Sequence, residues 1–436
     1  MDTLSPNLDD LSNRVSKAVQ EIQKFLTQHG KSLSFDQQQP SPFSIETTEF
    51  RLSRMALFDA ASTLMHLALS PAESILIQNS QACSLAQTVA CIRYKFASFV
   101  PLDGSISYSD IAAHTGLNDN TVERVFGLLM IAHYFYSPRP DYVAHTNLSR
   151  LMAVDDRFEA LIGLEFEDLH LWTSSIPDAL ARWGPSGEIT ETGLSIATTK
   201  GAATITPTTF WDHLEKNKAS YDRFTDGSAY LYASDKFWTR EIEEGFNWSA
   251  ANNATVIDGY RNHQIGGSRG QASIALARKF PELQFIVQDY AHVCKEGETA
   301  LPHELHDRIK FEAHDLFQPQ LKVGNQKTIF LLRTILHDWS DKYACYILRA
   351  IIPAMKPEDR IVLVEMIMPE PGDGGEIPQR LVRMCDMEMW ATFNSLERTS
   401  RQFKMLAENA DSKLKIVNTY TPSWGGLSTI EIALED

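Results

Sequence analysis

The chain of 436 residues has no Cys-x-x-Cys pair, no long apolar run and a shortage of basic side chains. Each lack excludes a class of protein. Its five cysteines (Cys83, Cys91, Cys294, Cys345, Cys385) are odd in number and scattered, which fits free thiols in a reducing compartment better than a disulfide framework or a zinc site. Lys and Arg number 40 against 56 Asp and Glu, a net charge of −16. That sign works against a broad nucleic-acid footprint or an anionic membrane surface. The longest apolar stretch, around Phe126–Ala132, is far short of the ~20 residues of a membrane helix. The opening Met1-Asp2-Thr3-Leu4-Ser5-Pro6 lacks the basic-then-apolar order of a signal peptide. The expectation is a cytoplasmic protein without membrane or nucleic-acid partners. At 43% hydrophobic and 22% charged the composition is ordinary and globular, and the length calls for two or three domains.

The front of the chain is helical. Leu11, Val15, Val19, Ile22 and Phe25 recur at helical spacing, Phe35–Ser44 is a Gln/Pro/Ser-rich break, and a second helical region runs from Ile45 to Ser70. Residues 105–146 then form a unit. Ser109-Asp110-Ile111 opens a helix, Gly116-Leu117 turns it, Asn120-Thr121 caps a second helix, and Tyr134–Tyr136 with Tyr142–His145 read as a two-stranded wing. This winged-helix pattern serves either DNA contact or packing and dimerisation. Its second helix carries Glu123 and Arg124 and then turns apolar, leaving few groups for phosphates or base edges. Packing is the better reading.

Residues 187–208 are rich in Thr, Gly and Ala and mark a boundary, with domains expected at 1–205 and 206–436. Beyond it, candidate strands at Ala254–Asp258, Leu283–Asp289, Ile309–Asp315, Thr328–Arg333 and Arg360–Met368 alternate with helices such as Gly270–Phe280 and Asp341–Met355. That alternation predicts an α/β domain with a parallel, doubly wound sheet, closed by an antiparallel pair at Lys415–Tyr420 and Ser428–Leu434.

Such a sheet binds ligands at the carboxyl ends of its strands. The first candidate strand ends at Asp258, and Gly266-Gly267-Ser268-Arg269-Gly270 follows, glycines that permit a tight turn and close backbone approach. The second ends in Asp289, placed to hold a ribose diol. The third ends in His314-Asp315-Leu316-Phe317, placed to bracket an adenine. Any one of these aspartates is also an ordinary strand-end cap; three in succession point to a nucleoside. After the fourth strand comes Leu336-His337-Asp338-Trp339, and Glu365 and Glu397 are acids able to converge on His337.

The segments FNWS (246–249), GGSRG, SIALARKFPELQFIVQD, AHDLF, LLRTILHDWSD, IVLVEMIMPE and ERT resemble the plant- and fungal-type small-molecule O-methyltransferases that use S-adenosylmethionine, over roughly residues 45–434. The resemblance implies a Rossmann-type methyltransferase domain behind an N-terminal helical, winged-helix dimerisation domain, acting as a homodimer on a small-molecule substrate. It implies that His337 is the general base for a substrate hydroxyl, with Glu365 and Glu397 flanking it. It places the cofactor on Gly266, Gly267, Gly270, Asp289, Asp315 and Leu316, with Arg333 standing where the family often has Lys. The acceptor would be a hydroxylated aromatic or polyketide-like metabolite, lined by Met389, Trp390, Phe393 and Asn394. His170 is either a second polar group in that cavity or a satisfied core or interface histidine.

One departure is plain. The family pattern has one residue between the first-strand Asp and the Gly-Gly pair; here there are seven, Gly259 to Ile265. The extra residues either fill the methionine end of the cofactor site with Tyr260, Arg261 and His263 or bulge into solvent. Some fungal relatives on this scaffold are pericyclases, so that a dehydration, cycloaddition or rearrangement with or without the cofactor is the alternative, with His337 donating rather than taking a proton. Retention of His337, Glu365 and Glu397 together favours methyl transfer. His303-Glu304-Leu305-His306 lacks the spacing of a zinc motif and is read as an exposed turn, so no metal is expected.

Overall fold

The structure, a computed structural model, describes residues 7–35, 47–201, 204–233, 240–251, 253–259, 270–370, 375–422 and 426–435. By packing, the chain divides into two compact units. One comprises Met1–Asp168, Asp222–Tyr230 and Gly374–Ile377, the other Leu169–Tyr221, Leu231–Asp373 and Pro378–Asp436. The division therefore falls after Asp168, ahead of the break expected after residue 205. The physical reason lies in Trp172, which is buried against Phe210 (ring centroids 5.9 Å) and His213 (5.5 Å) and so ties this stretch to the second unit.

In the first unit the helix Leu8–Gln28 buries Leu11, Ala18, Ile22 and Leu26 along one stripe, and Phe25 stacks on Phe50 of the helix Thr48–Ala68 at 4.1 Å. Strand β1 (Ile106–Ser107) precedes the helices Tyr108–Thr115 and Asp119–Ile131, and β2 (Phe135–Tyr136) and β3 (Tyr142–His145) form the hairpin. The three strands make an antiparallel sheet in the order β1-β3-β2. Gly116 ends the first of these helices at φ +71°, a left-handed turn that suits glycine. The second helix is capped by Asn118, whose Oδ1 accepts from Thr121 N at 2.9 Å. The cap is thus two residues earlier than the expected Asn120-Thr121, because an N-cap oxygen must reach the amide three residues on. Phe96, Ile111, Val122, Phe126, Leu129 and Phe135 close the core of this unit.

The second unit is built on a seven-stranded sheet. Its strands are β4 (Thr255–Gly259), β5 (Gln284–Asp289), β6 (Ile309–Ala313), β7 (Thr328–Arg333), β8 (Arg360–Met366), β9 (Leu414–Tyr420) and β10 (Leu427–Leu434), in the order β6-β5-β4-β7-β8-β10-β9. The first five pair in parallel; β10 pairs antiparallel with both β8 and β9. Every residue of β4 and β7 is buried, as strands covered on both faces must be. Asp315 lies past the end of β6, two residues beyond Ala313. The helix Asp341–Ile351 stops short of the expected Met355 and continues as a tighter turn, Ile352–Ala354, because Pro353 has no amide to donate. Strand order reverses at the β4–β7 pair, so the crevice beyond their carboxyl ends is where a ligand site belongs. Among the described residues no helix is long and apolar enough to cross a membrane.

Candidate active site

Beyond β7 the chain turns through Thr334, a β-branched residue at φ +48°. Such a conformation persists only where neighbours hold it. Here Thr334 N donates to Val364 O on β8 at 2.9 Å. Next along β8, Glu365 is fully buried and its Oε1 accepts from Ile335 N (3.0 Å) and Leu336 N (2.7 Å). Glu365 thus acts on the backbone before His337. Burial pushes its carboxyl up to about 7, opposed by the charge of His337.

His337 follows in a short turn, Leu336–Asp338. Its Nδ1 lies 2.8 Å from Glu397 Oε1, and its Nε2 lies 3.5 Å from Asp338 Oδ1, beyond a normal hydrogen bond. Burial alone would lower the imidazole. The charges of Glu397 and Asp338 and the hydrogen bond to Glu397 outweigh it and push His337 up to about 10. Asp338 is itself raised to about 6 by burial. Glu397 thus orients the ring through Nδ1 and favours its protonated form.

Next along the chain, Asp338 and Trp339 line a small pocket together with Ile189, Thr209, Phe210, Trp211 and Phe393. Phe393 is the one expected lining residue that reaches it, meeting Phe210 edge to face at 5.2 Å. Met389 and Trp390 lie half-buried on the preceding turn and do not line it. Asn394, at φ +56°, spends its amide on the carbonyls of Glu188 and Glu191 at 3.3 Å each, holding that segment rather than facing a ligand. His170 is exposed, and its buried helix neighbour is Trp172, so the structure does not bring it to the pocket. Sequence reasoning missed Ile189, Thr209, Phe210 and Trp211. The available signal was the Thr209–Asp212 capping box opening a helix on two aromatics.

The nucleoside side is set by the ends of β4, β5 and β6. Asp258 is fully buried; its Oδ2 accepts from Ser273 Oγ at 2.5 Å, and its Oδ1 receives no hydrogen bond from the described residues. Burial pushes it up to about 6. At Gly259 a Cβ would meet Leu316 and Leu332 side chains at 3.2 Å, so the strand end has room for backbone only. Asp289 is buried, its Oδ1 accepting from Tyr290 N at 2.6 Å. Arg333 is buried at the end of β7, its charge acting on Asp258. Asp315 is exposed and accepts from Phe317 N at 3.1 Å. Leu316 is buried in the core with Ile257 and Leu332, so its side chain is given to packing and not to a bound base. Gly270, at φ +76°, starts the helix Gln271–Lys279; Gly266, Gly267 and the insertion 260–265 lie outside the described residues. Carboxylates at successive strand ends, one with an unsatisfied buried oxygen, fit a ligand rich in hydroxyl and ammonium donors.

Comparison with known proteins agrees. Residues 259–412 match the model of the O-methyltransferase domain. The chain is 31% identical to O-methyltransferase CTB2 of Cercospora beticola, over 98% of this chain and 93% of that one. It is also 31% identical to the grayanic acid biosynthesis cluster O-methyltransferase of Cladonia grayi, over 88% and 78%. Among solved structures, one described as a pericyclic reaction enzyme superposes with a TM-score of 0.67 at 21% identity, over 97% of this chain and all of that one. At that identity the likeness is one of fold alone. Near full-length similarity at 31% identity decides the family, and the chain belongs to the O-methyltransferases.

Proposed function

We propose that the protein transfers the methyl group of S-adenosylmethionine to a hydroxyl of an aromatic, polyketide-like secondary metabolite. One observation carries the reading: His337 is held 2.8 Å from Glu397, and the residues that follow it, Asp338 and Trp339, line a pocket with Phe210, Trp211 and Phe393. A phenol with pKa ~10 is a poor nucleophile until deprotonated, and a positioned base contributes about 10²–10⁴ in rate. Glu397 fixes the ring through Nδ1, so in the neutral form of the ring Nε2 is the atom that takes the hydroxyl proton. Phe210, Trp211, Trp339 and Phe393 supply the kind of aromatic surface on which a flat acceptor packs. Asp289 would hold the ribose of the cofactor, Asp258 and the Gly266–Gly270 segment its methionine end, and Asp315 its adenine; the cofactor supplies an activated methyl group. Free thiols at Cys91, Cys294 and Cys345, all buried, support a cytoplasmic site of action. Exposed Ile75, Leu76 and Ile77 on the helix Pro71–Arg93 support a homodimer.

The test is incubation of purified protein with methyl-labelled S-adenosylmethionine and a panel of hydroxyanthraquinones, hydroxynaphthalenes and orsellinate esters, followed by chromatography of labelled product. Labelled methyl ether that vanishes in His337→Ala supports the reading. No product, and no cofactor binding at millimolar concentration, would sink it. A second reading has its own observation: an imidazolium raised to about 10 is equipped to donate a proton to a carbonyl, as a pericyclase would require. Turnover of a substrate in the absence of any adenosyl compound would select it.

A further inference from the structure

We propose that Arg398 is a positioning residue, clamping the carbonyl oxygens on either side of His337 so that the imidazole stays seated against Glu397. The clamp is a matter of geometry; its effect on rate rests on the methyl-transfer reading above. Arg398 is among the largest fully buried side chains of the protein, at 1% exposure. Its Nη1 donates to Leu336 O at 2.6 Å and its Nη2 to Trp339 O at 2.7 Å, one carbonyl before His337 and one after it. Its Nε donates to Asp341 Oδ1 at 2.9 Å, a carboxylate on a side chain that is itself 63% exposed. A buried guanidinium is costly unless its N–H groups find acceptors, and its planar fork is suited to two acceptors at once. Two of the three acceptors here belong to the base loop.

The clamp is anchored at its other end. Met368 N donates to Arg398 O at 2.9 Å, and Arg398 bridges in parallel to Ile367 just beyond β8. In an extended segment neighbouring side chains point to opposite sides. Glu397 accordingly meets the ring of His337 while Arg398 meets the carbonyls of its loop. Ser395 Oγ donates to His337 O at 2.5 Å, completing the hold. The residues 395–398 therefore set both the ring and the backbone that carries it, and the 2.8 Å contact depends on both. Lysine offers a single point of charge and would lose one of the two carbonyls.

The experiment compares full-length wild type, Arg398→Lys and Arg398→Gln, isotope-labelled at histidine, with folding checked by thermal melting. The His337 ring is titrated by NMR, and kcat and KM are measured for the acceptor that the panel identifies. The expected result is a His337 titration displaced downward from about 10 in Arg398→Lys, which keeps the charge and loses the fork; in Arg398→Gln the loss of the nearby cation acts upward and offsets part of the shift. A drop in kcat of about 10–100-fold should accompany it, with KM nearly unchanged. A purely structural role would lower the melting temperature and leave titration and kcat alone; a folded Arg398→Lys or Arg398→Gln protein with that outcome overturns the proposal. If wild type makes no methylated product, the methyl-transfer reading falls, and the titration still decides the clamp.

Discussion

The ends of β7 and β4 lie side by side in the sheet and differ in how their polar groups are partnered. After β7, the amides of Ile335 and Leu336 and the carbonyls of Leu336, His337 and Trp339 all find partners in Glu365, Ser395 and Arg398. Near the end of β4, Asp258 is fully buried, yet one of its oxygens receives no hydrogen bond from the described residues. The contrast lies in the backbone, whose polar groups are paired after β7, whereas the carboxylates on both sides, Asp258, Glu365 and Glu397, each keep one buried oxygen with no hydrogen bond from the described residues. Preorganisation of the proton-transfer group is effective because a small misplacement of a reacting atom is costly in rate. A binding carboxylate, by comparison, can complete its hydrogen bonds when the ligand arrives.

The comparison can be broken at several points. The largest effect belongs to His337→Ala, which should lower kcat by about 10²–10⁴ with cofactor affinity retained, measured by turnover and calorimetric titration. Glu397→Gln comes next. Because Glu397 raises His337, the free enzyme must lose a proton near pH 10 to present a neutral base, so kcat/KM should climb with pH toward that value in wild type. In the variant the limb should move down toward the ordinary histidine range while the plateau falls about tenfold or more. An unmoved limb would sink the role given to Glu397.

Asp258→Asn tests the open side. Its carboxyl is raised from 3.8 to about 6 by burial. Between those values the folded protein keeps a proton that the unfolded chain has lost, so stability falls as pH rises through that window, and the cost is complete at pH 7. The variant should melt higher at pH 7 and bind S-adenosylmethionine more weakly, a stability gained by giving up a ligand contact. Equal affinity would remove Asp258 from the site. The smallest effect is expected outside the crevice: Asn118→Ala removes a helix cap and should cost about 1 kcal/mol in the first unit, read by denaturant melting, with kcat unchanged.

Much of this was legible in the residues. Strands β4, β7 and β8 stand out as apolar runs because both of their faces are covered, and the bounds Thr328–Arg333 of β7 are legible in the residues. His337 and Glu397 were named together from motifs sixty positions apart, and the structure joins them. The lining of the pocket is only half legible. Phe393 reached the pocket, while Asn394, its neighbour, was drawn off to bind the carbonyls of Glu188 and Glu191, a choice made by the positive φ at that residue. His170 failed for a similar reason, since on its short helix the buried position is Trp172.

The sequence by itself determined the parallel order of elements, the carboxylates at the strand ends and the pairing of His337 with Glu397, because these depend on local patterning and on motifs read in series. Only the tertiary structure decided that Glu365 holds backbone rather than ring, that Leu316 is core, and that Arg398 brackets the base loop. Each of those outcomes turns on which of several polar or apolar partners a side chain meets across strands, and that is settled by burial, where every hydrogen-bonding group must find its partner among whatever the fold brings near.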